Sequence, residues 1–338
     1  EENPEVDNIY MTATQMMTGS GGWPLNVICL PDGRPVYGGT YHTKNQWLEI
    51  LSKIQSLYEN DKKQLLTFAE RVEKGIQEVN SFEYTKEDKL LQPEILQNEM
   101  SFWSSNWDLI NGGENQNQKF ITPVKLNYIQ QYQNVNKDKK IEAYLKKTLK
   151  NIANSGIVDH LEGGFYRYTI DPEWKIPHFE KMLYDNGQLL GLYANAFKHF
   201  KNPFYKEVCS GIIHWLKEEM VDESGGFYSA LDADSEGEEG KYYCWSKKEL
   251  KELLEKDFQW VSDYYNVNPK GFWEEEKYIL LKTETDPAFI KNKKWDMPTF
   301  QKKKASILKT LNAERDKKIK PALDNKMISS WNAIMLKG

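Results

Sequence analysis

Residues 159–186 read DHLEGGFYRYTIDPEWKIPHFEKMLYDN. His160, His178, Arg167, Lys175, Lys181, several acids and a run of aromatic rings share one loop and the start of one helix. Connecting loops are ordinarily rich in Gly, Ser, Asn and Pro and poor in rings. So much charge and ring surface in one loop predicts the folded rim and upper wall of a pocket. Part of the pattern recurs: NGGE at 111–114, EGGFYRY at 162–168 and SGGFYSA at 224–230, with Gly pairs 51 and 62 residues apart. That interval suits a helical hairpin with its loops, and such a period suggests stacked units. Helical patterns over 93–107, 122–133, 137–154, 178–200, 203–221, 246–256, 298–315 and 325–337 fill the intervals. The expectation is an α/α toroid or solenoid whose loops gather around one mouth. Gly-Gly as ordinary turn chemistry is the competing explanation.

The N-terminal stretch reads differently. Residues 5–17 form a helical pattern that leads to the Gly-rich turn 19–22. WPLNVICL and PVYGGTY read as strands on either side of the turn PDGR. Residues 45–80 form an amphipathic helix, broken near Glu59–Lys62. This is an α/β piece, and the charged stretch Glu83–Lys89 places a boundary between domains at 1–82 and 83–338.

Composition excludes some functions. The net charge of -5 over 338 residues argues against a nucleic-acid partner. No apolar run approaches the length of a membrane span. Cys29, Cys209 and Cys244 are widely spaced, form no CxxC, and suit a reducing, cytoplasmic setting. The chain lacks an initiator Met and ends in SSWNAIMLKG, which reads as a helix cut short, so a piece of a longer protein is expected. The oligomeric state is left open.

Candidate chemistry concentrates in the opening stretch. Pro177 suits a first helical turn. On a helix from there, about 100° per residue puts His178, Lys181 and Asp185 on one face and turns Glu180 away. Gly187 and Gly191 would let a neighbouring helix approach closely. His178 is a candidate base or donor, against a structural helix-start histidine. Asp159 could orient His160. Arg167 is a natural clamp for a carboxylate or phosphate, with Asp171 or Glu173 as structural partners. DADSEGEEG at 232–240 resembles half a calcium loop but has Tyr243 where the bidentate Glu belongs. An acidic hairpin turn is expected instead, with Asp232 or Asp234 facing the pocket; no metal and no cofactor are expected. The chain carries 11 Trp, 19 Tyr and 14 Phe, and Trp174, Tyr166, Tyr168, Trp245 and Trp331 fall near the expected rim.

Four strings carry a family resemblance: MTATQMMTGSGGWPLNVICLPDGRPVYGGTYH, the segment from Asp159 to Leu190, GGFYSALDADSEGEEGKYYCW and LDNKMISSWNAIML. Together they resemble the spermatogenesis-associated protein 20 family. The resemblance implies a mixed fold: a truncated α/β thioredoxin-like domain with Pro24 as its cis-proline, then a partial all-α (α/α)6 barrel similar to six-hairpin glycosidases and N-acylglucosamine 2-epimerases. It also implies a Cys-rich redox motif upstream of residue 1. Glu162 and Tyr166 depart from the family's usual GGGFHRYS and alter the rim. The implied function is a carbohydrate-active or sugar-binding barrel. An epimerase would use His160 or His178 as base; a hydrolase would pair Asp185 with Asp232 or Asp234. Arg167, Trp174, Lys181, Tyr184, Trp331 and Asn332 would contact the ligand. The rival expectation is a redox or protein-interaction module with a non-catalytic barrel.

Overall fold

A computed structural model describes residues 2–81 and 93–338. The chain divides into two compact units, 1–90 and 91–338. The expected boundary at 82/83 and its charged stretch lie outside the described residues.

In the first unit, α1 (Pro4–Thr18) precedes an antiparallel pair, β1 (Asn26–Cys29) and β2 (Pro35–Gly39), then α2 (Lys44–Asn60) and α3 (Lys62–Asn80). The break between α2 and α3 has a local cause: Asp61 ends one helix and caps the next by accepting from Gln64 N. Leu30, Val36, Leu65 and Ala69 form the core. The Trp23–Pro24 peptide is cis.

The second unit is built on a repeated helical hairpin. Helices α4 (Pro93–Ser104), α6 (Lys139–Asn154) and α8 (Pro203–Glu219) each run into one of the Gly-Gly loops; α5 (Pro123–Asn136) and α7 (Leu183–Phe200) follow the first two. The three loops share one hydrogen-bond pattern. Asp108, Asp159 and Asp222 each donate their N–H to the second glycine's carbonyl, Gly113, Gly164 and Gly226, at 2.9, 3.1 and 2.9 Å. The first glycine of each pair donates back to the aspartate carbonyl. Each aspartate Oδ1 also accepts backbone N–H groups inside its loop, an Asx-type turn. The repeat is therefore physical, not a coincidence of turn residues.

The third hairpin is interrupted. After its loop the chain makes a short strand, Ala230–Leu231, and an acidic hairpin that pairs Asp234–Ser235 with Glu238–Glu239. Helices α9 (Lys247–Leu254), α10 (Phe258–Tyr264), α11 (Asp286–Lys293) and α12 (Met297–Arg315) follow, around a second core of Trp245, Tyr264, Phe289, Phe300 and Leu311. Only then does α13 (Ser329–Lys337) close the hairpin. Asn332 on α13 accepts from Phe227 N at 2.9 Å and donates to Phe227 O at 3.0 Å. Asn186 on α7 treats Phe165 the same way, at 2.8 and 3.0 Å.

α7 packs against α5, α8 and α13, so α5, α7 and α13 form one row whose N-termini all follow Gly-Gly loops. The approach of α7 to α13 depends on Gly187, where a Cβ would lie 2.8 Å from the Met335 backbone. The main core includes Leu145, Phe165, Leu183, Tyr193, Trp215 and Trp331. These hairpins are the partial (α/α)6 arrangement, with their loops on one rim.

One expected element starts late. The helix placed at 178 begins at Leu183, and Pro177–His178 and Lys181–Met182 are short strands. Tyr168 pairs with His178 in one sheet, and Met182 pairs with Ala230 in another. The helical-face argument for His178, Lys181 and Asp185 therefore fails. Extended chain alternates faces every residue, so Phe179 and Lys181 go inward while His178 and Glu180 stay half-exposed.

Candidate functional site

The residues that meet at the rim come from three segments. Asp171 shapes the loop between them by accepting backbone bonds from Glu173, Lys175 and Ile176. The returning strand then stacks the His178 ring on Tyr168, with centroids 5.0 Å apart and planes at 22°. Glu239, from the acidic hairpin, holds His178 Nδ1 at 2.7 Å. Glu180 Oε2 lies 3.7 Å from His178 Nε2 and accepts from Arg167 Nη1 at 2.9 Å. Arg167 Nη2 donates to the Tyr184 hydroxyl at 3.2 Å. Tyr184 in turn meets Trp331 edge-on, with centroids 4.8 Å apart. Asp185 follows Tyr184 in the first turn of α7.

Asp185 is the electrostatic outlier of this group. Burial pushes its carboxyl up to about 7; Arg167 pulls it down and Glu180 pushes it further up. Asp185 is half-buried, and no hydrogen-bond donor among the described residues reaches it. A carboxyl that titrates near neutrality beside a second carboxylate is the usual physical basis of proton transfer. Burial also raises the Tyr184 hydroxyl, to about 12, so it is a neutral donor at any physiological pH.

Other expected site residues are placed elsewhere. Lys181 is buried, donating to Asp159 Oδ2 at 2.8 Å and to Gly163 O at 2.9 Å. Asp159 therefore does not orient His160; it also accepts from Arg315 Nη1 at 3.0 and 3.1 Å. Burial alone would raise the Asp159 carboxyl, but Arg315 and Lys181 outweigh it and hold the group well below the usual range. His160 is half-buried, and its Nε2 donates to Ser155 O at 2.9 Å and Asn154 O at 3.1 Å. Burial, reinforced by Lys282, lowers its pKa to about 3, so it stays neutral and structural. Trp174 is fully buried and donates to Gly112 O at 3.2 Å. Asn332 is used in its clamp on Phe227. Tyr166 packs beneath the rim against Phe179 and Tyr243. Trp245 belongs to the second core.

Asp232 and Asp234 are exposed, and Asp232 Oδ1 accepts from Asp234 N within its own turn. The hairpin sends Glu239, not these two, to His178. Arg167 pairs with Glu180, not with Asp171 or Glu173. Glu180 and Glu239 escape the sequence reading. The signal for Glu180 is the period-two alternation of PHFEK, masked by a lysine in a core position. Nothing local points to Glu239, which is 61 residues from His178 in sequence.

Comparison with known proteins bears on the frame that carries this group. Residues 1–77 match a protein-family model, Thioredox_DsbH, described as a protein of unknown function, DUF255. Human spermatogenesis-associated protein 20 is 32% identical, covering 100% of this chain and 48% of that protein. An uncharacterized Caenorhabditis elegans protein, B0495.5, is 30% identical, covering 100% and 50%. The resemblance to the spermatogenesis-associated protein 20 family holds along the entire chain. The chain spans about half the length of these relatives. Among solved structures, the cellobiose 2-epimerase of Spirochaeta thermophila is 17% identical, covering 43% of this chain and 41% of that one, with a TM-score of 0.36. An inactive α-1,6-mannanase variant from Salegentibacter is 16% identical, covering 70% and 57%, with a TM-score of 0.30. These likenesses are partial; the barrel assignment here rests on the repeated hairpins themselves. No helix among the described residues is long and apolar enough to cross a membrane.

Proposed function

We propose that the rim at the N-terminus of α7 binds a sugar-like small molecule and transfers protons on it. Asp185 is the proton donor and acceptor. His178, fixed through Nδ1 by Glu239, is the second proton-handling group. Arg167 and Tyr184 supply hydroxyl-directed hydrogen bonds, and Tyr168 supplies ring surface. The observation that carries this reading is the Asp185 carboxyl, near neutrality and without a donor, one residue from the Arg167–Tyr184 contact.

Calorimetric titration of the full chain with cellobiose and α-1,6-mannotriose, together with a panel of monosaccharides, tests it. Saturable binding that Asp185→Asn or Arg167→Met weakens at least tenfold is expected. Absence of binding by every sugar would remove the reading. The match of residues 1–77 to a thioredoxin-type family favours one alternative, a redox or interaction module whose barrel is a scaffold. On that reading Asp185→Asn leaves the longer protein's cellular phenotype intact.

A further inference from the structure

A cavity lies away from the rim, where α6, the start of α8 and the inserted α11 and α12 meet. It is a cleft of about 1040 Å³, at the upper end of the size of small-molecule sites. Its apolar side is aromatic: Phe200, Phe204, Tyr205 and Phe300 line it, and Tyr205 and Phe300 are almost fully buried. Its polar side is cationic. Lys146, Lys150, Lys206 and Lys304 line it against two carboxylates, Glu207 and Asp286.

Two of these lysines are already occupied. Lys304 donates to Asp286 at 2.8 Å, and Lys146 pairs with Glu142 while lying 5.0 Å from the Phe200 ring centroid. Asp286 also accepts from the Tyr264 hydroxyl at 2.6 Å and has Lys282 at 3.7 Å, so its charge is offset within the protein. Lys150 and Lys206 have no carboxylate partner among the described residues. The first turns of α8 and α11 open into the same cleft and add the positive ends of two helix dipoles. Rings below and unpaired cations above call for a ligand with a flat apolar body and a negative group.

We propose that this cleft binds a planar aromatic anion, an aromatic body carrying a phosphate or carboxylate, at a site separate from the rim. Phe204 and Phe300 would flank the ring system, and Lys150 and Lys206 would meet the charge.

Isothermal titration calorimetry on the full chain tests this with 1-naphthyl phosphate and 1-naphthoate. Neutral 1-naphthol and inorganic phosphate isolate the two halves of the recognition. Saturable one-site binding of at least one aromatic anion is expected, with both isolated halves at least tenfold weaker. The tighter of the two anions identifies the headgroup. The double variant Lys150→Glu/Lys206→Glu should weaken binding at least tenfold and, since both residues are exposed, should leave the melting temperature unchanged. Phe204→Ala should weaken it as well, and Asp185→Asn should leave it unaltered. Failure of both aromatic anions to bind would overturn the proposal. So would binding that survives the lysine reversal, or binding that is lost in Asp185→Asn, which would assign it to the rim.

Discussion

The loops after α4 and α6 are built alike and used differently. In both, an aspartate closes the turn, and a buried lysine reaches its Oδ2 and the first glycine's carbonyl. Lys119 meets Asp108 and Gly112 O at 2.6 and 2.9 Å; Lys181 meets Asp159 and Gly163 O at 2.8 and 2.9 Å. Aromatic faces cover both ammonium groups: Trp174 lies 5.3 Å from Lys119, and Tyr166 and Tyr243 lie 5.3 and 5.1 Å from Lys181. Because the first loop uses the same lysine without the rim cluster, the lysine is a staple of the hairpin and does not belong to the proposed chemistry.

The two copies diverge a single turn further on. At the third residue of the following helix, the first copy has Lys125, paired with Glu114. The second has Asp185, with no donor, and α13 has Trp331. At the fourth residue, Leu126 stands where Asn186 and Asn332 make their clamps. Glu114 correspondingly replaces the phenylalanine that those clamps hold, Phe165 or Phe227. What the copies share is structural; what differs at Asp185 is the candidate site.

The largest effect should come from the staple of the second copy. Asp159 is 4% exposed and faces two buried cations, Lys181 and Arg315. Glu162 Oε2 is 2.6 Å from Arg315 Nη2 but outside hydrogen-bonding geometry, and Arg315 Nε has no partner among the described residues. Asp159→Ala strands Lys181 and leaves Arg315 with Glu162 alone, and should cost about 3–5 kcal/mol in urea unfolding. Asp108→Ala strands only Lys119 and should cost less. A larger loss at Asp108 would break the ranking of the two copies.

The clamps come next. Asn186→Leu removes three buried hydrogen bonds, to the Phe165 N–H and carbonyl and to Met182 O. It should cost about 2–3 kcal/mol. Asn332→Leu, at a half-buried copy, should cost about 1–2 kcal/mol by the same unfolding measurement. Equal tolerance of leucine at both positions would show that the first copy's Leu126 is the general solution.

A different kind of effect separates the copies by pH. The folded Asp185 carboxyl lies near 7, above its unfolded value of 3.8. The folded state therefore binds the proton more tightly, and this contribution to stability is present below about pH 4. It is lost as pH rises from there to about 7. Asp185→Asn should flatten the stability profile over that range and leave the protein relatively more stable above pH 7. An unchanged slope would contradict the burial assigned to this carboxyl.

The helix boundaries and the Gly-Gly repeat were legible because they are local: periodicity, Pro at helix starts, glycine in loops. The break at Asp61 and the role of Gly187 were legible for the same reason. The stretch 177–182 was not, since Pro177 mimics a helix start and a buried lysine disguises the alternation of PHFEK. Long-range partners were also hidden. Arg315 reaches Asp159 across 156 residues, and Asn332 reaches Phe227 across 105, because an insertion splits the third hairpin. His160 and Trp174 read as site residues by composition, yet their polar atoms are taken up by backbone carbonyls beneath the rim.

The account rests most heavily on one carboxyl. Site-resolved NMR of the Asp185 carboxyl carbon across a pH titration measures it directly. A midpoint near 7 agrees with a half-buried acid that has no donor among the described residues, in the first turn of α7; a midpoint near 4 would mean a solvated surface aspartate and would contradict the account.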